Sequence, residues 1–249
     1  MAWKNFIKEK IANTAGRMLQ RVTWKKLPQN LTEWQSANVS YSQFAEDILI
    51  NTLLTHFHLS DSAYYVDIGA CDPVYLSNTL RLHQTGWMGI NVDPNPENIA
   101  KFKIQRPNDI NLEIAVSQME NEAEFIIYDS KTTGSLAVNA GSSLKNILGE
   151  NPQRKIKVKT MPLRLMLEKY SPTDRCFGFI NIDCEGEDLV VLHSNDWMRF
   201  RPWIVAVEDH SLLPETEISR FMINQDYILL SQAFITKFFI RKDIYTKNL

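Results

Sequence analysis

Cysteine is scarce in this chain: Cys71, Cys176 and Cys184 are the three in 249 residues, and no two form a CxxC pair. Neither a disulfide framework nor a zinc site is expected from so sparse and odd a set, which fits a reducing compartment. No apolar run reaches the roughly 20 residues of a membrane-spanning helix. The N-terminus also lacks the compact apolar core of a signal peptide, so the expected location is cytoplasmic. Neither sign of charge is in marked excess. A formal net charge of −2 gives no reason to expect a nucleic-acid partner. Finally, no GxGxxG follows a strand, which counts against a dinucleotide cofactor.

With 44% hydrophobic and 22% charged residues, the chain can bury the core of one large domain or of a domain with an extension. The charge is uneven along it. Residues 1–26 hold Lys4, Lys8, Lys10, Arg17, Arg21, Lys25 and Lys26 against Glu9 alone. Between them Trp3, Phe6, Ile7, Ile11, Met18, Leu19 and Val22 recur at helical spacing, which predicts a basic amphipathic helix. Such a helix packs on its own domain or on a second subunit, or it attaches loosely to an anionic membrane face. Residues 27–40 read as a polar linker. The expected division is therefore 1–40 as helix and linker, and 41–249 as the compact domain.

From residue 41 the pattern alternates. A helix is expected over 42–57, with Ser42 and Glu46 as its start signal. "YYVDIG" reads as a strand, "SNTLRLHQTG" as a helix closed by Gly86, "WMGINVDP" as a strand and "PENIAKFKIQ" as a helix. "INLEIAVS" and "EAEFIIYD" follow as strands, and residues 129–155 as a polar loop able to cover a site. "KIKVKTMPL" is a short strand feeding the helix "LRLMLEKY", then come the strand "CFGFINIDCEG", the helix "EDLVVLHS" and the strand "PWIVAVEDH". The tail "YILLSQAFITKFFIRKD" reads as a hairpin. This alternation predicts an α/β fold with a doubly wound, mostly parallel sheet, the hairpin adding an antiparallel edge.

In such sheets ligands sit beyond the carboxyl ends of the strands, near the point where strand order reverses. Asp67 and Gly69 should lie there, and Asp93, 26 residues after Asp67, ends the next strand. A carboxylate at that position can accept from both ribose hydroxyls of a nucleoside. Gly69 stands alone in "DIGACDP", and an Asp72-Pro73 pair would repel a pyrophosphate and remove an N–H donor. A cationic nucleoside with an amino-acid tail, S-adenosylmethionine, fits better. Carboxylates that are only structural would explain the same pattern.

Several segments together resemble the FkbM family of S-adenosylmethionine-dependent methyltransferases: "YSQFAEDILI" (41–50), "YYVDIGACDPVYLSNT" (64–79), "GWMGINVDPNPENI" (86–99), "EIAVS" (113–117) and "FINIDCEGEDLVVL" (179–192). They occur in the family's order and cover roughly residues 41–240. The resemblance implies a Rossmann-like methyltransferase fold and methyl transfer to an oxygen of a sugar, nucleotide-linked or at a glycan end. It also implies that Gln43 and Asp47 approach the cofactor, that Asp67, Gly69 and Asn78 hold its methionine part, that Asp93 holds the ribose and that Ala115 passes near the adenine. Cys71 stands where many members have Asn or another small polar residue, and can instead be a small packed side chain.

A sugar hydroxyl is protonated at neutral pH, so its methylation needs a base or a metal that lowers its pKa. Asp183 follows one central strand, with Glu185, Glu187 and Asp188 beyond it; Glu208, Asp209 and His210 end the next. His210 could act as base with an acidic neighbour orienting its ring. Alternatively Asp183, Asp209 and His210 could hold Mg2+ or Mn2+. Or these carboxylates are helix-start acceptors of backbone N–H groups. His56, His58, His83 and His193 are expected on the surface or packed, Trp203 in the core, and Tyr128, Ser130 and Ser135 beside an acceptor pocket. Two rival functions remain: a nicotinamide-dependent sugar oxidoreductase or epimerase, and a non-catalytic module that binds a cofactor and docks through residues 1–26.

Overall fold

The computed structural model describes residues 36–59, 62–128, 134–136 and 152–248. The amphipathic helix expected over 1–26, most of the linker, Ser130 and the greater part of the 129–155 loop lie outside the described residues. Two compact units are separated, Met1–Val39 and Ser40–Leu249. All that follows concerns the second. No helix among the described residues is long and apolar enough to cross a membrane.

The main sheet has seven strands: β1 (Ala63–Ile68), β2 (Met88–Val92), β3 (Ile110–Leu112), β8 (Cys176–Ile182), β9 (Ile204–Glu208), β10 (Tyr227–Ala233) and β11 (Thr236–Arg241). Their order is β10-β11-β9-β8-β1-β2-β3. Five central and flanking strands pair in parallel. This is the expected Rossmann-like, mostly parallel α/β sheet. The C-terminal hairpin enters it differently from expectation. β11 is antiparallel to both its neighbours and inserts between β9 and β10, so β10 forms the edge and runs in the common direction. The apolar sequence of β11, Phe238-Phe239-Ile240, is fully buried, as an interior strand must be and an edge strand need not.

Alternate residues of each central strand enter two cores. Tyr64, Val66 and Ile68 of β1 and Val205 and Val207 of β9 face helices α4 (Leu163–Tyr170), α5 (Asp188–His193) and α6 (Glu217–Asn224). Ala63, Tyr65, Ile204 and Ala206 face the other way, toward Ile50 and Leu54 of α1 (Glu46–His56) and Leu82 of α2 (Leu80–Gln84). Burial on both faces explains why these strands read as near-continuous apolar runs. Trp203, expected in the core, is partly buried at its border and packs edge-on against Trp87.

The stretch 110–117 is not one strand. β3 ends at Leu112, and Ala115–Val116 form β4 of a second sheet, ordered β4-β7-β5-β6. Its other strands are β5 (Asn121–Tyr128), β6 (Gly134–Leu136) and β7 (Pro152–Met161). Phe125, Ile127 and Val158 cluster with Ala115 on one face. Lys155, Lys157 and Lys159 lie exposed on the other, across from Glu122 and Glu124. This two-residue period is legible in "EAEFII" and "KIKVK"; the choice between one sheet and two is not.

A buried guanidinium joins the strand ends. Arg106, which caps α3 (Pro96–Gln105), is 1% exposed. Its Nη1 donates to Tyr65 Oη (3.0 Å) and Thr79 Oγ1 (2.9 Å), and Nη2 donates to Ser77 Oγ (2.8 Å) and the Pro73 carbonyl. Each acceptor hydroxyl passes the contact on. Tyr65 donates to Asp109 (2.7 Å) and Thr79 to Asp67 (2.6 Å), so one cation is linked to two carboxylates through two hydroxyls. His83 Nδ1, 3.3 Å from Asp109, belongs to the same cluster. Gly89 is required beside it, because a Cβ there would stand 2.4 Å from Tyr65 Oη.

Removing one partner from a buried charged network leaves the others uncompensated. Arg106→Met is expected to cost about 3–5 kcal/mol, and Arg106→Lys to recover only part, since an ammonium lacks the planar fork. Urea unfolding midpoints of the two variants check this.

Candidate active site

A cavity of about 490 Å³ opens at the carboxyl ends of β1, β2 and β8, where strand order reverses. Gly69 makes its floor possible. Its φ is +78°, and a Cβ would lie 1.8 Å from the Asp183 carbonyl oxygen, so only glycine fits. Backbone bonds from Gly69 to Val92 and from Asp183 to Ile68 lock the three strand ends together.

The turn "SNT" after β1 divides three tasks. Ser77 caps α2 through Leu80 N and accepts from Arg106. Asn78 donates to Asn181 Oδ1 (3.0 Å), and Thr79 bonds Asp67. Asp67 also accepts from Asn181 Nδ2 (3.0 Å). At the end of β2, Asp93 accepts from Cys71 N (2.9 Å) and Asn95 N (2.7 Å), which leaves further lone pairs for a ligand. Five of the seven non-glycine residues with positive φ among the described residues surround the cavity. Cys71, Leu76 and Glu185 line it, and Ala45 and Phe234 adjoin lining residues. Such strain concentrates at functional sites.

Carboxylates dominate the lining. Asp67, Asp93, Asp183 and Glu208 come from strand ends, Glu46 and Glu97 from the starts of α1 and α3, and Glu185 and Glu187 from the turn before α5. Lys101 is the one basic side chain among the described lining residues, and it pairs with Asp72 at 3.0 Å. Burial raises Asp67 and Glu46 above the usual carboxylate range, and Asp93 to about 6. Asp183 and Glu208 share a hydrogen bond. Burial and the neighbouring Asp183 charge push Glu208 far up, so at neutral pH this pair holds one proton.

Eight of the residues singled out from sequence converge here: Gln43, Asp67, Gly69, Asn78, Asp93, Ala115, Asp183 and Glu208 all line the cavity, as does Tyr128. Three do not. Asp47 is buried at the start of α1, where it accepts from Ser40 Oγ (2.5 Å), Tyr41 N and Ile48 N and faces Arg81; it anchors the segment that carries Gln43. Asp209 turns away to Lys237 Nζ (2.9 Å) and Thr216 Oγ1 (2.6 Å). Burial alone would raise it, but the bonds from Thr216 and Lys237 outweigh that and hold it below the usual range. His210 is 59% exposed, with Nε2 3.6 Å from Glu208 Oε2. Asp183, Asp209 and His210 therefore do not fit a divalent ion as a set. Among the described residues no three His, Cys, Asp or Glu side chains converge on a metal position. Asp188 is a helix-start acceptor, bonded by Cys184 N and Gly186 N. Asp72 does not line the cavity but caps Val74 and Tyr75, so the repulsion expected of it for a pyrophosphate comes from the lining carboxylates instead.

Glu46 and Arg106 were not singled out from sequence. Glu46, read only as part of a helix-start signal, sits one position before Asp47. Arg106, in "IQRPND", carried no signal.

The model of the methyltransferase FkbM domain matches residues 67–229, more than half of the chain. The chain belongs to the FkbM methyltransferase family. No curated protein matches it. Among solved structures, a precorrin-6y C5,15-methyltransferase from Geobacter metallireducens GS-15 aligns at a TM-score of 0.39 and 10% identity, over 78% of this chain and 87% of that one. In this FkbM methyltransferase Cys71 has φ +56°, a left-handed conformation that Asn tolerates better than most residues. Cys71→Asn should match or exceed the wild-type melting temperature, and Cys71→Val should lower it.

The raised carboxyls also set a pH dependence. An acid whose folded pKa exceeds its unfolded value stabilises fully below the unfolded pKa and loses that contribution as pH rises through the folded one. With Asp93 and Asp183 at about 6 and Asp188 at about 7, the unliganded melting temperature should fall as pH rises from about 4 to 7. Asp72 and Asp209, held low, act oppositely only below about pH 4. Calorimetric melting across this range reads the slope.

Proposed function

We propose that this methyltransferase moves the methyl group of S-adenosylmethionine to a hydroxyl oxygen of a sugar, nucleotide-linked or at a glycan end. The observation that carries the reading is the charge of the cavity: eight carboxyl side chains against one paired lysine among the described lining residues. That field repels a pyrophosphate and attracts a sulfonium and an ammonium. The donor set therefore suits the cationic nucleoside and not a nicotinamide dinucleotide. When bound, it supplies an electrophilic methyl group on a positively charged sulfur.

The chain's residues would divide the remaining work. Asp93 accepts hydrogen bonds from the ribose hydroxyls, and Ala115 gives apolar contact to the base. Asp67, Asn78 and Gln43 hold the amino-acid end. Asp183 takes the acceptor's hydroxyl proton as the oxygen–carbon bond forms and the sulfur–carbon bond breaks. Burial first, and then repulsion from Asp67 and Glu46, favours proton uptake there, which makes Asp183 a stronger base than an exposed aspartate. Glu208, in its protonated form, fixes Asp183 by a hydrogen bond, and His210 beyond it leads to solvent.

Calorimetry should find S-adenosylhomocysteine bound and NAD+ not bound, with affinity for the former falling below about pH 6 as Asp93 protonates. Asp183→Asn should keep that binding and lose about 10²–10⁴-fold in transfer of labelled methyl groups to a saccharide panel. Absence of S-adenosylhomocysteine binding, or full turnover by Asp183→Asn, would overturn the reading. Binding without turnover in the wild type would favour a non-catalytic module.

A further inference from the structure

An exposed aromatic pair adjoins residues that line the cavity and has no part in the chemistry assigned above. Phe44 and Phe234 are 38% and 58% exposed, with ring centroids 4.8 Å apart and planes tilted by 55°. Phe44 follows the lining residue Gln43, and Phe234 precedes the lining residues Ile235 and Thr236. Thr236 donates to Glu46 Oε1, and Asp209 N, one residue beyond Glu208, donates to the Ile235 carbonyl (2.7 Å). The residues next to the pair thus adjoin Glu46 and the strand end that carries Glu208.

Two further features set Phe234 apart. Its φ is +51°, a conformation that costs a bulky L-residue about 1–2 kcal/mol and that a hairpin turn normally fills with Gly or Asn. The turn is nonetheless held firmly: Gln232 Nε2 donates to the Phe234 carbonyl (2.7 Å) and to the Ser211 carbonyl (3.2 Å). A strained position that keeps a large exposed ring serves contact with something outside the fold.

Resting on the methyl-transfer reading, we propose that Phe44 and Phe234 form the platform on which the apolar C–H face of an uncharged saccharide acceptor stacks, its reactive hydroxyl reaching Asp183. A pyranose offers a C–H face to a ring and hydroxyls to carboxylates, and this cavity and the adjoining pair present both. The same carboxylates disfavour a nucleotide diphosphate sugar, whose pyrophosphate meets no unpaired basic side chain among the described lining residues. This narrows the acceptor to a neutral glycan end.

The test uses the full chain saturated with S-adenosylhomocysteine. Saturation-transfer NMR, with irradiation of aromatic protons, probes neutral methyl pyranosides, short uncharged oligosaccharides and UDP-glucose. At least one neutral saccharide should receive saturation on its C–H protons. Phe234→Gly should weaken that binding about tenfold, near 1.4 kcal/mol, while Phe234→Tyr keeps it. Because glycine relaxes the left-handed turn, Phe234→Gly should hold its melting temperature and its S-adenosylhomocysteine affinity, which a merely structural ring would not allow. Unchanged saccharide binding in Phe234→Gly, binding of UDP-glucose alone, or no saccharide binding by a protein that binds S-adenosylhomocysteine would overturn the platform. Failure of the wild type to bind S-adenosylhomocysteine would instead strike the methyl-transfer reading, and the platform with it.

Discussion

The Arg106 guanidinium is the contact on which the rest of the structure depends. A cation 1% exposed is costly to bury, and the surrounding atoms repay that cost only if all are in place. They come from one stretch, 27 to 41 residues before Arg106: Tyr65 from β1, the Pro73 carbonyl and Ser77 from the turn that follows, and Thr79 at the start of α2. Thr79 and Tyr65 can each donate to a carboxylate because each accepts from Arg106. Asp67 is thereby fixed beneath the cavity while its own charge is offset from behind, and Asp109 draws Gly89 and Asn91 of β2 into the same network.

Above that anchored floor the site collects negative charge instead of neutralising it. Asp93, Asp183, Glu46 and Glu208 are crowded and desolvated, and their raised pKa values record the strain. A fold selected only for stability would place apolar or paired groups there. Such a concentration makes sense if a cationic ligand completes the electrostatics and if one carboxylate must take a proton. Positive φ at Cys71, Leu76 and Glu185 points the same way: the backbone around the cavity is held in conformations the sequence does not favour locally.

The second sheet closes the cavity from the side. Phe125 and Ile127 present apolar surface beside Ala115, while the opposite face carries the lysines of β7. One wall is therefore apolar and the floor acidic, a division suited to a ligand with an aromatic base and a charged tail. The turn between β10 and β11 adds an adjoining aromatic ring. It reaches the cavity because β11 lies inside the sheet next to β9.

Much of this was legible beforehand because it depends on local pattern. Two-sided apolar runs marked the central strands, and acidic residues at strand ends marked the cavity. Four of the five segments that resemble the FkbM family fall wholly or largely within the matched residues 67–229, and 41–50 lies before them. What the sequence could not express is long-range choice. Strand pattern has a period of two whichever sheet a strand joins, so it could not divide 110–117 between two sheets or insert β11 inside one. A carboxylate's neighbours in sequence do not reveal its partner in space: Asp209 and Glu208 are adjacent, yet Lys237, 28 residues further on, claims one, and Asp183 the other. Nothing around Arg106 in sequence marks it as buried, since its partners at 65–79 lie 27 to 41 residues away. Composition and periodicity determined the fold class and the chemistry available; tertiary packing decided which charges meet, because Coulomb and hydrogen-bond energies depend on distance and desolvation, and a linear sequence holds neither.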